Sequence, residues 1–297
     1  YKSINGAIVF IQSLIFKDIK KNDIKKILIY RVGTLGDNIT AMPSIYNIIE
    51  NYSNSQIDLL YSSGGNDALS IDKLIEKSYF SEIINYNDHS KKDLIKLLKS
   101  KKYSLIIELP SNLSTFFKNL RNMFYFRFFV GIKSGFGWKV STIILFKRMQ
   151  DKCIVFDNEI DRLQNILKDN DLKINNTNFI LKRLNNEGQL YEKHNIYGDN
   201  NIAITVGAKR KQNQWPIEYF QKVVYFILER GCTIYIIGGK EDIETSSKLK
   251  INEKLINLCG RLTPIESSSI LKKCKLLITN DTGVMHLAYA VDVPIIA

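Results

Sequence analysis

Two stretches of this chain place polar side chains at the ends of apolar runs, and each suits a different chemistry. The first is ILIYRVGTLGDNITAMPSI, residues 27–45, with Asp37 at the tip of a glycine-bearing turn. A carboxylate held there can act as a proton acceptor. It can equally cap a helix beginning at Asn38. Gly33 and Gly36, which flank Thr34, match neither Gly-x-Gly-x-x-Gly nor Gly-x-x-x-x-Gly-Lys. Their expected use is to let ligands approach the backbone closely.

The second stretch is LLITNDTGVMHLAYAVDVPIIA, residues 276–297. An apolar strand runs into Asp281, Thr282 and Gly283, and helical spacing starts at about Val284. First-turn N–H groups, the Thr282 hydroxyl and the positive end of a helix dipole would meet at one point, which suits phosphate. Alternatively, Asp281 or Thr282 simply caps the helix. His286, one turn in from Gly283, faces phosphate or sugar in the first case and is a packed residue in the second. Asp-Thr-Gly is also the aspartic-protease triplet, but that mechanism needs two such loops sharing a proton, and the chain has one. Lys209, Arg210 and Lys211 follow another apolar run, IAITVGA, and add a cluster of cations. Asp242, just past Gly238 and Gly239, is placed to hold ribose hydroxyls; Glu241 is its rival, and either can be a solvated helix start.

These residues need strands ending in turns, and the apolar pattern supplies them. Strands are expected at Lys26–Tyr30, Ile57–Tyr61, Glu82–Asn85, Leu105–Leu109, Asn201–Val206, Thr233–Ile237 and Leu276–Thr279. Helical segments such as Lys92–Lys99, Ile217–Arg230 and residues 157–170 lie between them. The alternation predicts an α/β chain with parallel sheets and helices on both faces. A polar stretch before IAITVGA marks a domain boundary near residue 185. The expected organisation is an N-terminal helical extension (1–25), a Rossmann-like domain (26–185) and a second one (186–297). A start at Tyr1 rather than Met, and a final strand with nothing after it, lead to the expectation of a fragment whose second domain is truncated. Residues 4–16, INGAIVFIQSLIF, read as an amphipathic helix packed on the first domain, with an interfacial anchor as the alternative.

Charge is distributed unevenly. The chain has a formal net charge of +12; residues 1–150 hold 22 Lys and Arg against 12 Asp and Glu, and residues 151–297 hold 20 against 18. The first half is therefore expected to meet an anionic partner. Residues 111–150 concentrate the signal: Arg127, Lys133 and Lys139 are among their basic residues, no acid is present, and aromatic residues are interleaved. Such a stretch fits an anionic lipid surface or single-stranded nucleic acid, with about half of its aromatics expected in the core. Scattered Cys and His give no zinc or disulfide pattern, and no apolar run is long enough for a membrane span.

The two stretches resemble the signature segments of the heptosyltransferases, glycosyltransferase family 9. Between them, GAKRKQNQWPIEYFQKV, IYIIGGKEDIE and LCGRLTPIESSSILKKCKLLIT resemble further family segments in the expected order, so that the resemblance covers about residues 26–297. It implies a GT-B architecture in which two Rossmann-like domains face a cleft. The N-terminal domain would bind acceptor and the C-terminal domain a nucleotide-sugar, usually ADP-heptose. Transfer inverts the anomeric centre and needs no metal or other cofactor. Asp37 matches the family's proposed general base. Lys209, Arg210, Lys211, Asp242, Asp281, Thr282, Gly283 and His286 fall on the donor side; Gly33, Thr34, Gly36, Arg127, Lys133 and Lys139 are assigned to the acceptor side. Where the family commonly has Lys two residues before Trp-Pro, this chain has Asn213. The implied acceptor is lipopolysaccharide core or a related anionic glycolipid, reached by peripheral attachment to the inner face of the inner membrane from the cytoplasm. No nucleic acid partner is expected. A GT-B binding module without turnover and a nucleic-acid-binding protein are the alternatives.

Overall fold

The computed structural model describes residues 10–62, 71–111, 116–138 (only the backbone of Phe116), 158–175, 177, 179, 181–208, 210–250 and 252–297. Lys139 and Lys209 lie outside them.

Strands such as KILIYRV are apolar on both sides, which suits a parallel sheet covered on both faces. Strands β1 (Lys26–Val32), β2 (Gln56–Ser62), β3 (Glu82–Asn85), β4 (Leu105–Leu109) and β5 (Ser134–Phe136) pair in the order β3-β2-β1-β4-β5, all parallel. Strands β6 (Asn201–Thr205), β7 (Thr233–Ile236), β8 (Leu255–Asn257), β9 (Leu276–Thr279) and β10 (Ile295–Ile296) pair as β10-β9-β6-β7-β8, again all parallel. The two sheets thus share one winding: the first strand is central, two follow on one side, and the chain returns to the other side. The fold is α/β, with two Rossmann-like units.

The helices are α1 (residues 10–15), α2 (Leu35–Asn51), α3 (Lys91–Ser100) and α4 (Phe116–Phe124), which continues as a π-helical turn over Tyr125–Val130. They are followed by α5 (Glu159–Lys168), α6 (Glu187–Lys193), α7 (Ile217–Leu228), α8 (Ile243–Ser246), α9 (Pro264–Leu271) and α10 (Gly283–Ala290). The chain forms two compact units, one of residues 1–72 and 76–180, the other of Lys73–Ile75 and residues 181–297. The change of unit falls a few residues before 185. The outlying Lys73–Ile75 segment joins the second unit through a bridge from Ile75 to Leu181 and a bond from Lys182 N to Leu74 O of 2.7 Å.

Each unit has its own buried cluster. In the first, Leu28, Leu60 and Ile106 of the sheet meet Met123, Phe126 and Trp138. Ile11 and Ile15 of α1 pack on that cluster, and Phe16 stacks on Trp138 at 4.6 Å. In the second, Ile204, Ile234 and Ile236 meet Phe220 and Val224 of α7.

Candidate active site

In an open parallel sheet, ligands bind at the carboxyl ends of the strands where the winding reverses. That point lies at the ends of β1 and β4 in the first unit and of β6 and β9 in the second.

Asp37 sits at the first of these points. The helix begins at Leu35 with Thr34 as N-cap, so Asp37 is its third residue; the alternative of Asp37 capping a helix from Asn38 is corrected. Its Oδ2 accepts hydrogen bonds from Thr34 N at 2.8 Å and Thr34 Oγ1 at 2.9 Å, the backward arm of a capping box. Oδ1 is left with Arg31 Nη2 at 3.8 Å, and the side chain is 29% exposed. A Cβ on Gly33 would lie 2.4 Å from Asp37 Cβ. Gly33 therefore makes room for Asp37 itself rather than for a ligand at the backbone. Gly36 is buried within α2.

Beneath this turn lies a group of charges. Arg31 is fully buried; its Nη1 donates to Leu109 O at 2.9 Å and its Nη2 to Asp37 O at 2.6 Å. Glu159 Oε1 lies 4.0 Å from Arg31 Nη2. Arg162 grips Glu159 with Nε and Nη2, each at 2.7 Å, and Nη2 also donates to Pro110 O. The ends of β1 and β4, the start of α2 and the start of α5 are thereby fixed together. Burial pulls the Arg31 pKa below its ordinary value, while Asp37 and Glu159 push it back up.

The second unit builds its reversal point around Asn280. Its Nδ2 donates to Val206 O at 2.9 Å and Gly207 O at 3.2 Å, and its Oδ1 accepts from Trp215 N at 3.1 Å. These bonds hold the turn after β6 against the turn after β9. Thr282 is the N-cap of α10 but makes no side-chain cap bond, and its hydroxyl lies 3.4 Å from that of Thr279. Exposed Asp281 accepts from Asn213 Nδ2 at 3.1 Å. Neither residue thus acts as a side-chain cap. Gly283 and His286 follow in the first turn, and exposed Arg210 and Lys211 precede the Trp215 turn. Asp242 is turned onto the backbone: its Oδ2 accepts from Gly239 N at 2.9 Å, and its carboxylate occupies the space over Gly207 and Gly238. Burial raises its pKa, the Gly239 bond lowers it and Glu241 raises it; Glu241 itself is exposed.

Two acceptor-side assignments are separated from Asp37. Lys133 precedes β5, at the amino end of a parallel sheet, whereas Asp37 follows the carboxyl end of β1. The five residues of β4 span roughly 16 Å between those poles. Arg127 lies in the π turn six residues before Lys133 and donates Nε to Ile15 O at 2.8 Å. The reason is directional: α4 and its π turn carry the chain from the carboxyl end of β4 to the amino end of β5. Of the interleaved aromatics, Phe126, Phe136 and Trp138 are core, while Phe117, Phe124, Phe128 and Phe129 are exposed.

Sequence reasoning passed over Arg31, Glu159, Arg162 and the linking role of Asn280. The signal for Arg31 was present, because a charge inside an apolar strand run must be paired when buried. The same signal marks Glu108 in LIIEL. It is buried, it accepts hydrogen bonds from Asn122 Nδ2 and Trp138 Nε1, and burial pushes its carboxyl up to about 7. Among the described residues, no group of three or more His, Cys, Asp or Glu could hold a metal ion, and no helix is long and apolar enough to cross a membrane.

The family model described as glycosyltransferase family 9 (heptosyltransferase) matches residues 92–297. Lipooligosaccharide heptosyltransferase 2 of Campylobacter jejuni is 26% identical over 287 residues, 92% of this chain and 80% of that protein. The Haemophilus influenzae protein of the same name is 27% identical over 90 residues; that match spans 28% of this chain and about a quarter, 26%, of the relative. Among solved structures, a glycosyl transferase family 9 protein from Veillonella parvula superimposes with a TM-score of 0.70 at 19% identity, covering 93% of this chain and 80% of that one. The Escherichia coli ADP-heptose lps heptosyltransferase II does so with a TM-score of 0.66 at 18% identity, covering 92% and 83%. At such identities the structures show the fold.

Proposed function

From the premise that the chain belongs to glycosyltransferase family 9, we propose that it is an inverting glycosyltransferase moving heptose from ADP-heptose to a lipopolysaccharide-core or related glycolipid. The observation that carries this reading is Asp37, with one carboxylate oxygen spent on Thr34 and the other left at the reversal point of its sheet. The names of the relatives supply the sugar and the acceptor class, and the Escherichia coli structure supplies the nucleotide.

The acceptor hydroxyl gives its proton to Asp37 Oδ1 as its oxygen bonds to the anomeric carbon. The bond from that carbon to the diphosphate oxygen breaks on the opposite face, and its electron pair leaves with ADP. The growing negative charge on the diphosphate is met by the uncapped start of α10, the Thr282 hydroxyl and the cations Lys209, Arg210 and Lys211, with His286 one turn in. Asp242 or Glu241 holds the ribose. The reading requires no metal or other cofactor. It places the protein in the cytoplasm, attached to the inner membrane face through residues 111–150, where Phe117, Phe124, Phe128 and Phe129 are exposed, with residues 4–16 in support.

ADP release tests it, using ADP-, GDP- and UDP-sugars with membrane glycolipid as acceptor and comparing the protein with Asp37→Asn. Turnover is expected with an ADP-sugar, falling by about 10²–10⁴ in the variant. Equal turnover in both proteins would remove Asp37 from the base role. The Asn213–Asp281 bond, standing where the family commonly has Lys, favours a second reading as a binding module. Nucleotide binding without ADP release in either protein would select it.

A further inference from the structure

A pocket of about 590 Å³ opens at the amino-terminal pole of the first sheet, the pole opposite Asp37. Lys17, Lys99, Lys102 and Lys133 line it, with Asp18 as its one acid. Among the described residues, none of the four lysines has a carboxylate within ion-pair distance. Two of its three hydroxyls are engaged as donors: Tyr103 donates to Asp58 Oδ2 at 2.7 Å, and Ser104 donates to Lys26 O at 2.9 Å, with Ser134 as the third. Recognition rests mainly on ammonium groups, which act as point charges with little directional demand. Such a set suits a phosphate better than a sugar ring, which needs directed donors and acceptors.

The C-terminal ends of α3 and of the π turn also converge on this pocket. Lysines there partly answer the helix dipoles, but each dipole end carries only about half a negative charge, so positive charge remains in excess. The walls between the lysines are apolar, formed by Ile19, Leu98, Val130 and Ile132. Both chain segments that enter the wall arrive from exposed apolar surface. Phe128 and Phe129 directly precede Val130, and Phe10 and Leu14 precede Lys17 on α1; all four are more than half exposed. The two segments are joined by the Arg127–Ile15 bond and by Lys17 N to Lys133 O at 2.8 Å. Cations set beside exposed aromatic and aliphatic groups match the layered chemistry of a membrane interface.

We propose that this lysine-lined pocket seats the phosphate headgroup of an anionic phospholipid, with Phe10, Leu14, Phe128 and Phe129 entering the interface around it. The inference deepens the surface-attachment part of the proposed function. It does not depend on turnover, so its failure and that of the transferase reading are distinguishable.

The test is co-sedimentation of the full chain with phosphatidylcholine vesicles, with and without phosphatidylglycerol. The protein is compared with a pocket variant, Lys99→Gln/Lys102→Gln/Lys133→Gln, and with a variant of equal charge, Lys91→Gln/Lys92→Gln/Lys96→Gln, on the exposed side of α3. A lysine near an anionic surface contributes about 1 kcal/mol, or about fivefold in partitioning. The pocket variant is expected to lose about a hundredfold of its preference for anionic vesicles, and the control set far less. Equal losses in the two variants would mean a diffuse field and overturn the pocket. Binding of inorganic phosphate by the same lysines without enrichment on vesicles would overturn the lipid as its source. Oligonucleotide binding that survives physiological salt and depends on those lysines, with no vesicle preference, would overturn the lipid surface in favour of nucleic acid.

Discussion

A guanidinium removed from water must find acceptors, and Arg31 finds two carbonyls, those of Leu109 and Asp37, with Asp37 Oδ1 and Glu159 Oε1 at the edge of ion-pair distance. Those acceptors lie at the ends of β1 and β4 and the start of α2, so one side chain sets where the Asp37 turn stands. Arg31→Met would keep the length but take the charged donor from both carbonyls, leaving Asp37 O with Thr40 Oγ1 and Glu159 with Arg162 alone. Breaking a buried, charged arrangement of this kind costs about 3–5 kcal/mol. Urea unfolding at unchanged slope is expected to show that loss, and a change below about 1 kcal/mol would contradict it. Arg31 was legible as a buried charge because it interrupts an otherwise apolar strand. Its partners were not, since Leu109 is 78 residues away in the chain and Glu159 lies beyond another strand and helix. Lys133 shows the reverse: it was assigned to the acceptor side along with the Asp37 turn and lies at the other end of the sheet, because composition carries no information about which end of a strand a residue occupies.

At the scale of the element, the two βα turns show what their glycines permit. In both, a carboxylate three residues into a helical turn folds back on the backbone, Asp37 over Gly33 and Asp242 over Gly207 and Gly238. The two are not equally tight. At Gly207 a new methyl would first meet the carboxylate end of Asp242, which can swing away. At Gly33 it would meet Asp37 Cβ, fixed to the first turn of α2. Gly33→Ala is therefore expected to cost about 1–3 kcal/mol through overpacking. The cost should largely vanish when Asp37→Gly removes that Cβ, a coupling that a double-mutant cycle in urea measures; additive costs would refute the contact. Elements carrying an apolar core between polar ends were readable: β3, β4 and β9 occupy the expected residues, and α3 extends the expected Lys92–Lys99 by one residue at each end. β5, SGF, and β8, LIN, have three residues each, too few for a period to show, and pairing with β4 and β7 makes them strands. The π turn over Tyr125–Val130 had no signature either, since its aromatic residues suit a helix, a strand or an exposed face.

At the scale of the molecule, each unit carries its own sheet and buried cluster, and the two tryptophans are divided between them: Trp138 in the first, Trp215 in the second. Trp138 also donates to Glu108, so it reports on the unit whose stability that carboxylate controls. Burial raises the Glu108 pKa from 4.5 to about 7, against the lowering effects of Asn122, Trp138, Lys118 and Arg121. Below about pH 4.5 the group is protonated whether the unit is folded or unfolded, and its contribution to stability is complete. Between 4.5 and 7 the unfolded chain releases the proton while the folded unit keeps it, so stability falls as pH rises. Above 7 both states are ionised and the loss levels off, at roughly 3 kcal/mol for a difference of this size. In a Trp215→Phe protein the remaining fluorescence comes from Trp138, and its urea midpoint is expected to decline from pH 5 to pH 7.5. Adding Glu108→Gln, which cannot ionise, should flatten most of that decline. A decline of the same size in the Gln variant would assign the pH dependence to other groups and leave Glu108 ionised in its strand. Such an ionised glutamate would need the Asn122 and Trp138 bonds, with Lys118 and Arg121, to offset the cost of burying its charge.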